Sequence, residues 1–233
     1  MAPKKSKKDV LNNKRKLITK NEPKSPVSEQ YKTIRTNIQF SAVDQEMRSI
    51  MVTSAGPGDG KSTTVANLAV VFAQQGNKVL LVDADLRKPT VHYTFGVTNV
   101  RGLTNVLSNQ LEIEDAAVST EVDDLFILTS GPIPPNPAEL MGSRLMKNFL
   151  EKAYEQFDIV LFDTPPVLVV TDGQVLSNHC DGTVLVVSSG RTEMEAAGKA
   201  KDILENTKSK LLGVVLNNKK AKDTSYYYYY ATK

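Results

Sequence analysis

The sequence predicts an α/β fold, a doubly wound and mainly parallel sheet with helices on both faces. One observation is rhythm: short β-rich runs alternate with helical stretches along most of the chain, as successive βαβ units do. The other is composition within the runs. They are nearly continuous in Val, Ile, Leu and Phe rather than alternating with polar residues, as strands covered on both faces must be. The strands read as 49–54, 78–83, 125–129, 158–163, 183–188 and 211–217, with helices over 61–75, 138–156 and 192–207 between them. A chain of 233 residues with 40% hydrophobic content buries one substantial core, so a single domain is expected.

Ahead of that core the chain is basic. Residues 1–24 carry nine Lys or Arg against Asp9 and Glu22, a net +7, which leaves −4 for the rest of a chain whose total is +3. A mildly acidic body with a basic arm differs from a DNA-binding domain, whose charge sits on the folded face, so no nucleic-acid partner is expected. The arm reads as a solvated, flexible leader. Its functional alternative is attraction to anionic lipid or an acidic partner segment, about 1 kcal/mol per basic residue near such a surface. The positive stretch is not followed by the apolar segment of a signal peptide. No apolar run approaches the roughly 20 residues needed to cross a bilayer, so a cytoplasmic protein is expected. Cys180 is the only cysteine, which excludes an intramolecular disulfide and a cysteine-based metal cluster.

Folding signals begin at Ser25-Pro26, an N-cap followed by proline at the first helical position. Val27, Tyr31, Ile34 and Ile38 then recur at helical spacing and give an amphipathic helix to about Phe40. Its other side carries Glu29, Lys32 and Arg35. Farther on, Gly131-Pro132-Ile133-Pro134-Pro135-Asn136-Pro137 holds four prolines in seven residues and reads as a stiff surface loop.

Between the first strand and its helix lies Ala55-Gly56-Pro57-Gly58-Asp59-Gly60-Lys61-Ser62-Thr63, in the context a P-loop requires. The glycines let backbone N–H groups turn inward around phosphate oxygens, and the helix dipole points at the same charge. Lys61 supplies a point charge for β- and γ-phosphates, and Ser62 offers a hydroxyl to Mg²⁺. The first position is alanine rather than glycine. The second strand ends in Asp83 and Asp85, and the strand over 158–163 ends in Asp163 in the manner of a Walker B motif. In an open α/β sheet ligands sit beyond the carboxyl ends of the strands, so all three carboxylates are expected to project toward the phosphates. With Ser62 they make an oxygen-ligand Mg²⁺ site. ATP and Mg²⁺ are therefore the expected cofactors of a P-loop NTPase fold.

Near its end the chain carries Tyr226, Tyr227, Tyr228, Tyr229 and Tyr230, preceded by a polar, turn-rich stretch over 217–225. Five consecutive tyrosines in a strand would present aromatics on both faces, an aggregation hazard. They are expected on a mobile tail, as phosphate acceptors.

Together the P-loop, Leu81-Val82-Asp83-Ala84-Asp85 and the Walker B strand resemble bacterial tyrosine kinases of the capsule and exopolysaccharide type, within the MinD/ParA-like branch of P-loop ATPases. The resemblance runs from about Ser25 onward and includes the proline-rich loop and the tyrosine cluster. It implies a basic arm over 1–24, a kinase domain over 25–218 and a tyrosine-rich tail over 219–233. It implies that Lys61 and Ser62 hold ATP and Mg²⁺, that Asp163 supports the metal, and that Asp83 and Asp85 divide base and metal duties. Asp83 is the choice for the residue that meets the tyrosine hydroxyl. An E-x-x-R-x-x-R helix drives ring assembly in the family; Glu29, Lys32 and Arg35 stand there, with lysine replacing the first arginine. Such kinases use a membrane-bound activator, expected here as a separate chain that brings the kinase to the inner face of the plasma membrane. Reaching the site from its own C-terminus is geometrically awkward, so autophosphorylation in trans within an oligomer is expected, together with transfer to other proteins. The alternative is a MinD/ParA-like switch ATPase of partitioning or positioning. Many of those carry a signature lysine early in the P-loop, where this chain has Ala55, Gly56 and Pro57.

Overall fold

The computed structural model describes residues 17–41 and 46–219. Its strands are β1 (Ser49–Ser54), β2 (Val79–Asp83), β3 (Val118–Ser119), β4 (Leu125–Leu128), β5 (Ile159–Asp163), β6 (Gly182–Ser188) and β7 (Lys210–Asn217). They form one sheet in the order β3-β4-β2-β5-β1-β6-β7, parallel except where β3 runs antiparallel to β4. All six predicted strands are present, and the fold is the doubly wound α/β sheet expected. Strand alternation feeds two cores. Ile50 and Val52 of β1 face one side and Met51 faces the other, with all three fully buried.

One core is covered by α1 (Ile18–Asn21), α2 (Pro26–Phe40) and α3 (Lys61–Ala73). Helix α3 is apolar nearly all round because it lies between the sheet and the other two helices. The opposite core is built against α5 (Leu103–Leu107), α8 (Arg144–Tyr154), α9 (Asp172–Ser177) and α10 (Met194–Glu205), counting α4 (Val91–Phe95), α6 (Ile113–Ala116) and α7 (Pro137–Met141) in chain order. The helix expected over 138–156 is divided into α7 and α8 at Gly142-Ser143. Close packing explains the break: a Cβ on Gly142 would stand 2.7 Å from Cγ1 of Val175 in α9.

Three expectations for the N-terminal region change. First, the described body reaches back before Ser25, and residues 17–20 of the expected arm are packed while 21–24 are exposed. Thr19 is fully buried, and its N–H and Oγ1 both donate to Oδ1 of Asn67 on α3, at 3.0 and 2.8 Å. Second, Ser25 caps α2 as expected, accepting from Ser28 N–H, but Val27 is 43% exposed; Tyr31 and Ile38 carry the burial. Third, Arg35 is not on an open face with Glu29 and Lys32. Its Nη1 donates to the Val71 carbonyl at the end of α3 (2.7 Å), while Lys32 pairs with Glu29 (2.7 Å). Arginine at i+6 from Glu29 has rotated toward the core side of the helix. Residues 1–16 and 220–233, including Tyr226 to Tyr230, lie outside the described residues. No helix among the described residues is long and apolar enough to cross a membrane.

Because Thr19 anchors the entering chain to the P-loop helix, Thr19→Val removes one buried hydrogen bond while keeping the volume. We expect a loss of about 1 kcal/mol, read as a melting temperature lowered by roughly 2–4 °C in calorimetry. An unchanged melting temperature would mean that Thr19 does not anchor the entering chain to α3.

Candidate active site

The P-loop leaves β1 at the centre of the sheet and returns as α3. Gly58 and Gly60 adopt φ of +84° and +97°, values that side chains resist. Space forbids a side chain too: a Cβ on Gly60 would fall 1.9 Å from Nδ2 of Asn217. Ala55 replaces the expected glycine without strain. It is 2% exposed, and positive φ among described non-glycine residues is confined to Asn109, Asp124 and Asn218.

Asp59 organises the loop. Its Oδ2 accepts from Gly56 N–H (3.1 Å), its Oδ1 from Thr192 Oγ1 (2.8 Å), and its carbonyl from Asn217 Nδ2 (2.9 Å). Arg191 adds donors to the Pro57 and Gly58 carbonyls at 3.3 and 3.2 Å. Sequence reading missed Arg191, Thr192 and Asn217, which sit more than 130 residues from the loop they hold. The only local sign was that polar residues follow directly on the apolar strands β6 and β7.

The acids meet as register dictates. Asp83 and Asp163 are direct partners across β2 and β5, and Asp163 also faces Val52 of β1. Lys61 Nζ lies 3.4 Å from both Asp85 Oδ2 and Asp163 Oδ1, and 3.2 Å from Ser62 Oγ. Burial opposes its charge, but Asp163, Asp85 and Asp83 outweigh that and hold its pKa above the ordinary lysine value.

Asp83 behaves differently from what was expected. It is fully buried and turned toward the start of α4, where Oδ2 accepts from the N–H groups of Thr90 (2.8 Å) and Val91 (2.9 Å). Oδ1 takes only a longer contact from Asp85 N–H, 3.3 Å. Its carboxyl is pushed up to about 8 by burial and then by the charge of Asp163, against the pull of the two α4 amides.

The structure therefore brings together Lys61, Ser62, Asp85 and Asp163 and sets Asp83 behind them. Glu29 and Lys32 stand apart on α2. The residues fit a nucleotide and a hard cation. The loop keeps glycine at two positive-φ positions, where a side chain would strike Arg191 or Asn217, and Asp163 Oδ2 is buried without a hydrogen-bond partner. Among the described residues no three acidic, His or Cys side chains form a metal cage of their own. Two carboxylates and a hydroxyl suit a cation that completes its shell with phosphate and water.

This chain is similar to known proteins over most of its length. The AAA domain family matches residues 47–211. Tyrosine-protein kinase YwqD of Bacillus subtilis (strain 168) is 58% identical over 219 residues, 94% of this chain and 92% of that protein. Among solved structures, the chimerical protein CapA2B2 aligns with a TM-score of 0.83 at 48% identity, covering 86% of this chain and 88% of that one. The kinase domain of the Escherichia coli tyrosine kinase ETK gives 0.82 at 31% identity, covering 87% and 79%.

The raised Asp83 carboxyl makes a testable stability statement. Folded protein holds a proton that unfolded chain, with an ordinary aspartate value of 3.8, releases. Stability from this group is fully present below about pH 4 and is lost as pH rises toward about 8. In nucleotide-free, metal-free protein, Asp83→Asn should gain melting temperature relative to wild type across that window. A difference that stays constant from pH 5 to pH 8 would remove the assignment.

Proposed function

The chain belongs to the family of bacterial tyrosine-protein kinases, and from that premise we propose that it takes ATP with Mg²⁺ as donor and its own tyrosines at 226–230 as first acceptors. It binds nucleotide through the P-loop fold it shares with that family. The switch-ATPase alternative uses the same fold, but a relative 58% identical over 94% of the chain is a tyrosine-protein kinase. The observation that carries the finer reading is the lysine set between two strand-end acids at the mouth of the cradle.

Bound Mg·ATP supplies a γ-phosphoryl group whose charge the metal partly neutralises. Ser62, Asp85 and Asp163 are the residues that hold the metal. Lys61, now paired with Asp85 and Asp163, would turn to the β- and γ-phosphates once those acids held the cation. A tyrosine hydroxyl, with a reference pKa near 10, remains protonated at neutral pH. In a largely dissociative transfer it need lose that proton only late, so positioning and charge neutralisation by Lys61 and the loop amides contribute most. Asp83 accepts the proton. To do so it must be ionised: burial and the Asp163 charge keep it protonated in the cation-free protein. A cation held by Asp85 and Asp163 would offset that charge and release the proton, leaving Oδ1, with its one long contact, to accept.

The C-terminal segment departs beside this machinery. Asn217 donates to the P-loop at Asp59, and Asn218 Nδ2 donates to Ser188 Oγ (2.9 Å). We place the transfer in trans, between copies that meet through α2 in a ring, with Glu29 and Lys32 on the contact face and Arg35 held back on the Val71 carbonyl. Each phosphate added to the tail contributes about −1.5 to −2 charge, so repulsion from the acidic site releases the tail and favours disassembly. A separate membrane-bound activator, by the family resemblance, brings the kinase to the inner face of the plasma membrane, where it phosphorylates further proteins and regulates capsule or exopolysaccharide synthesis.

Lys61→Met should abolish phosphotyrosine formation while the circular dichroism spectrum and melting remain native-like; persistent signal in purified protein would overturn the assignment of Lys61. The acids separate by a different measurement. Asp85→Asn should raise the Mg²⁺ concentration for half-maximal rate by roughly tenfold, whereas Asp83→Asn should lower kcat by about 10²–10⁴-fold, the usual range for a general base, at unchanged Mg²⁺ demand. For the route, Lys61→Met protein with an intact tail is mixed with active protein whose five tail tyrosines are Phe. Phosphate on the inactive partner is the result expected for transfer in trans, and its absence would assign transfer to the same chain.

A further inference from the structure

Arg87 stands two residues beyond Asp85 and is held in an unusual way for a half-exposed arginine. Its Nε and Nη2 donate to Oδ2 and Oδ1 of Asp172 at 2.7 and 3.0 Å, a parallel two-bond fork. Asp172 is 1% exposed, whereas the Arg87 side chain is 44% exposed. A buried carboxylate costs several kcal/mol unless it is compensated, and an exposed ion pair returns little stability. Burying an acid in order to fix an exposed arginine is therefore poor economy for a fastener. It is a good arrangement for aiming a cation.

Where the fork is anchored matters. Asp172 opens α9, whose next residue, Gly173, packs on the ends of the strands that carry the site: a Cβ there would lie 3.8 Å from Thr53 Oγ1 and 3.7 Å from Thr164 Oγ1. Thr164 directly follows Asp163. The Arg87 backbone follows Asp85, whose Oδ1 accepts from Lys88 N–H at 3.0 Å. The guanidinium thus ties the segment that follows β2 to the one that follows β5. One of its edges is taken by Asp172, and Nη1 has no hydrogen-bond partner among the described residues. A planar fork already fixed on one edge loses little freedom when it meets a second oxyanion on the other.

We propose that Arg87, positioned by Asp172, contacts the phosphoryl group from the acceptor side as it is transferred and holds it afterward as phosphotyrosine. The inference rests on the kinase activity but not on which tyrosines accept. In the step, the phenol oxygen forms a bond to phosphorus while the bond from phosphorus to the bridging donor oxygen breaks. ADP leaves with that electron pair, and the phenol proton passes to a carboxylate. Charge spread over the three outer oxygens of the moving group is what Arg87 meets, while Lys61 serves the side that stays with the P-loop.

The test uses the full chain with a short tyrosine peptide and its phosphotyrosine form, so the tail does not enter. Arg87→Lys keeps a charge beside Asp172 but loses the fork. It should lower kcat on the order of 10²–10³-fold, within or just below the range for arginines acting on transferred phosphate. Calorimetry should show at least fivefold weaker binding of the phosphotyrosine peptide, with fluorescent ADP affinity and melting temperature little changed. Asp172→Asn should act in the same direction. The double variant should be no worse than Arg87→Lys alone, because the two act as one unit. If kcat and phosphopeptide affinity stay at wild-type values while the melting temperature falls, the pair is structural and the inference is wrong. Should Asp172→Asn fail to fold, Arg87→Lys and Arg87→Gln decide by the same two readouts. A wild type that phosphorylates no tyrosine peptide yet binds the phosphopeptide through Arg87 would count against the proposed function and not against this site.

Discussion

Negative charge concentrated by strand register is the constraint around which this structure is arranged. Asp83 and Asp163 are paired across β2 and β5, and Asp85 follows two residues on. Three carboxylates so close, all at most 6% exposed, would repel one another and pull the strand ends apart. The chain answers in three ways. Lys61 stands between two of them. The first amides of α4 cap the third. That third one also keeps its proton to unusually high pH. Each answer leaves its mark on the site: a buried lysine between two acids, a turn fixed at the start of α4, and a carboxyl that stays neutral where its neighbours are charged.

The cradle beside these acids is rigid because elements far away in sequence converge on it. Asp59 receives the β6–α10 turn through Thr192 and the end of β7 through Asn217. On the other side α1 and α2 grip α3 through Thr19 on Asn67 and Arg35 on the Val71 carbonyl. Asn67 in turn donates to the Thr63 carbonyl, the last residue of the loop. Hydrogen bonds made before the ligand arrives need not be ordered when it binds, which is the general gain of preorganisation.

Much of this was legible in the sequence, and the parts that were not share a cause. The six strands could be read because buried parallel strands are apolar on both faces, and the P-loop because its glycines, lysine and serine are contiguous. Short helices such as Val91–Phe95 and Leu103–Leu107 were missed, since five residues give too little periodicity to detect. The break at Gly142 depends on Val175, more than thirty residues later. Arg35 looked solvent-facing because helical spacing reports a face, whereas a long side chain can curl over an edge to a carbonyl. Asp83 and Asp85 are identical in sequence terms, both acids at one strand end. Only the α4 amides, placed by the turn through Pro89, decide that one is buried and the other faces the lysine.

The path of the C-terminal segment limits how the acceptor can approach. The described chain ends at Lys219, just past an Asn217 that is bonded to the P-loop. From β7 to β5 is three strand steps, about 14 Å at 4.7–4.9 Å each. Seven residues separate Lys219 from Tyr226, enough for roughly 23–25 Å when extended. Chain length alone therefore allows either route, and reach does not separate transfer within one chain from the transfer between copies proposed above; the mixing of inactive and tail-substituted proteins does.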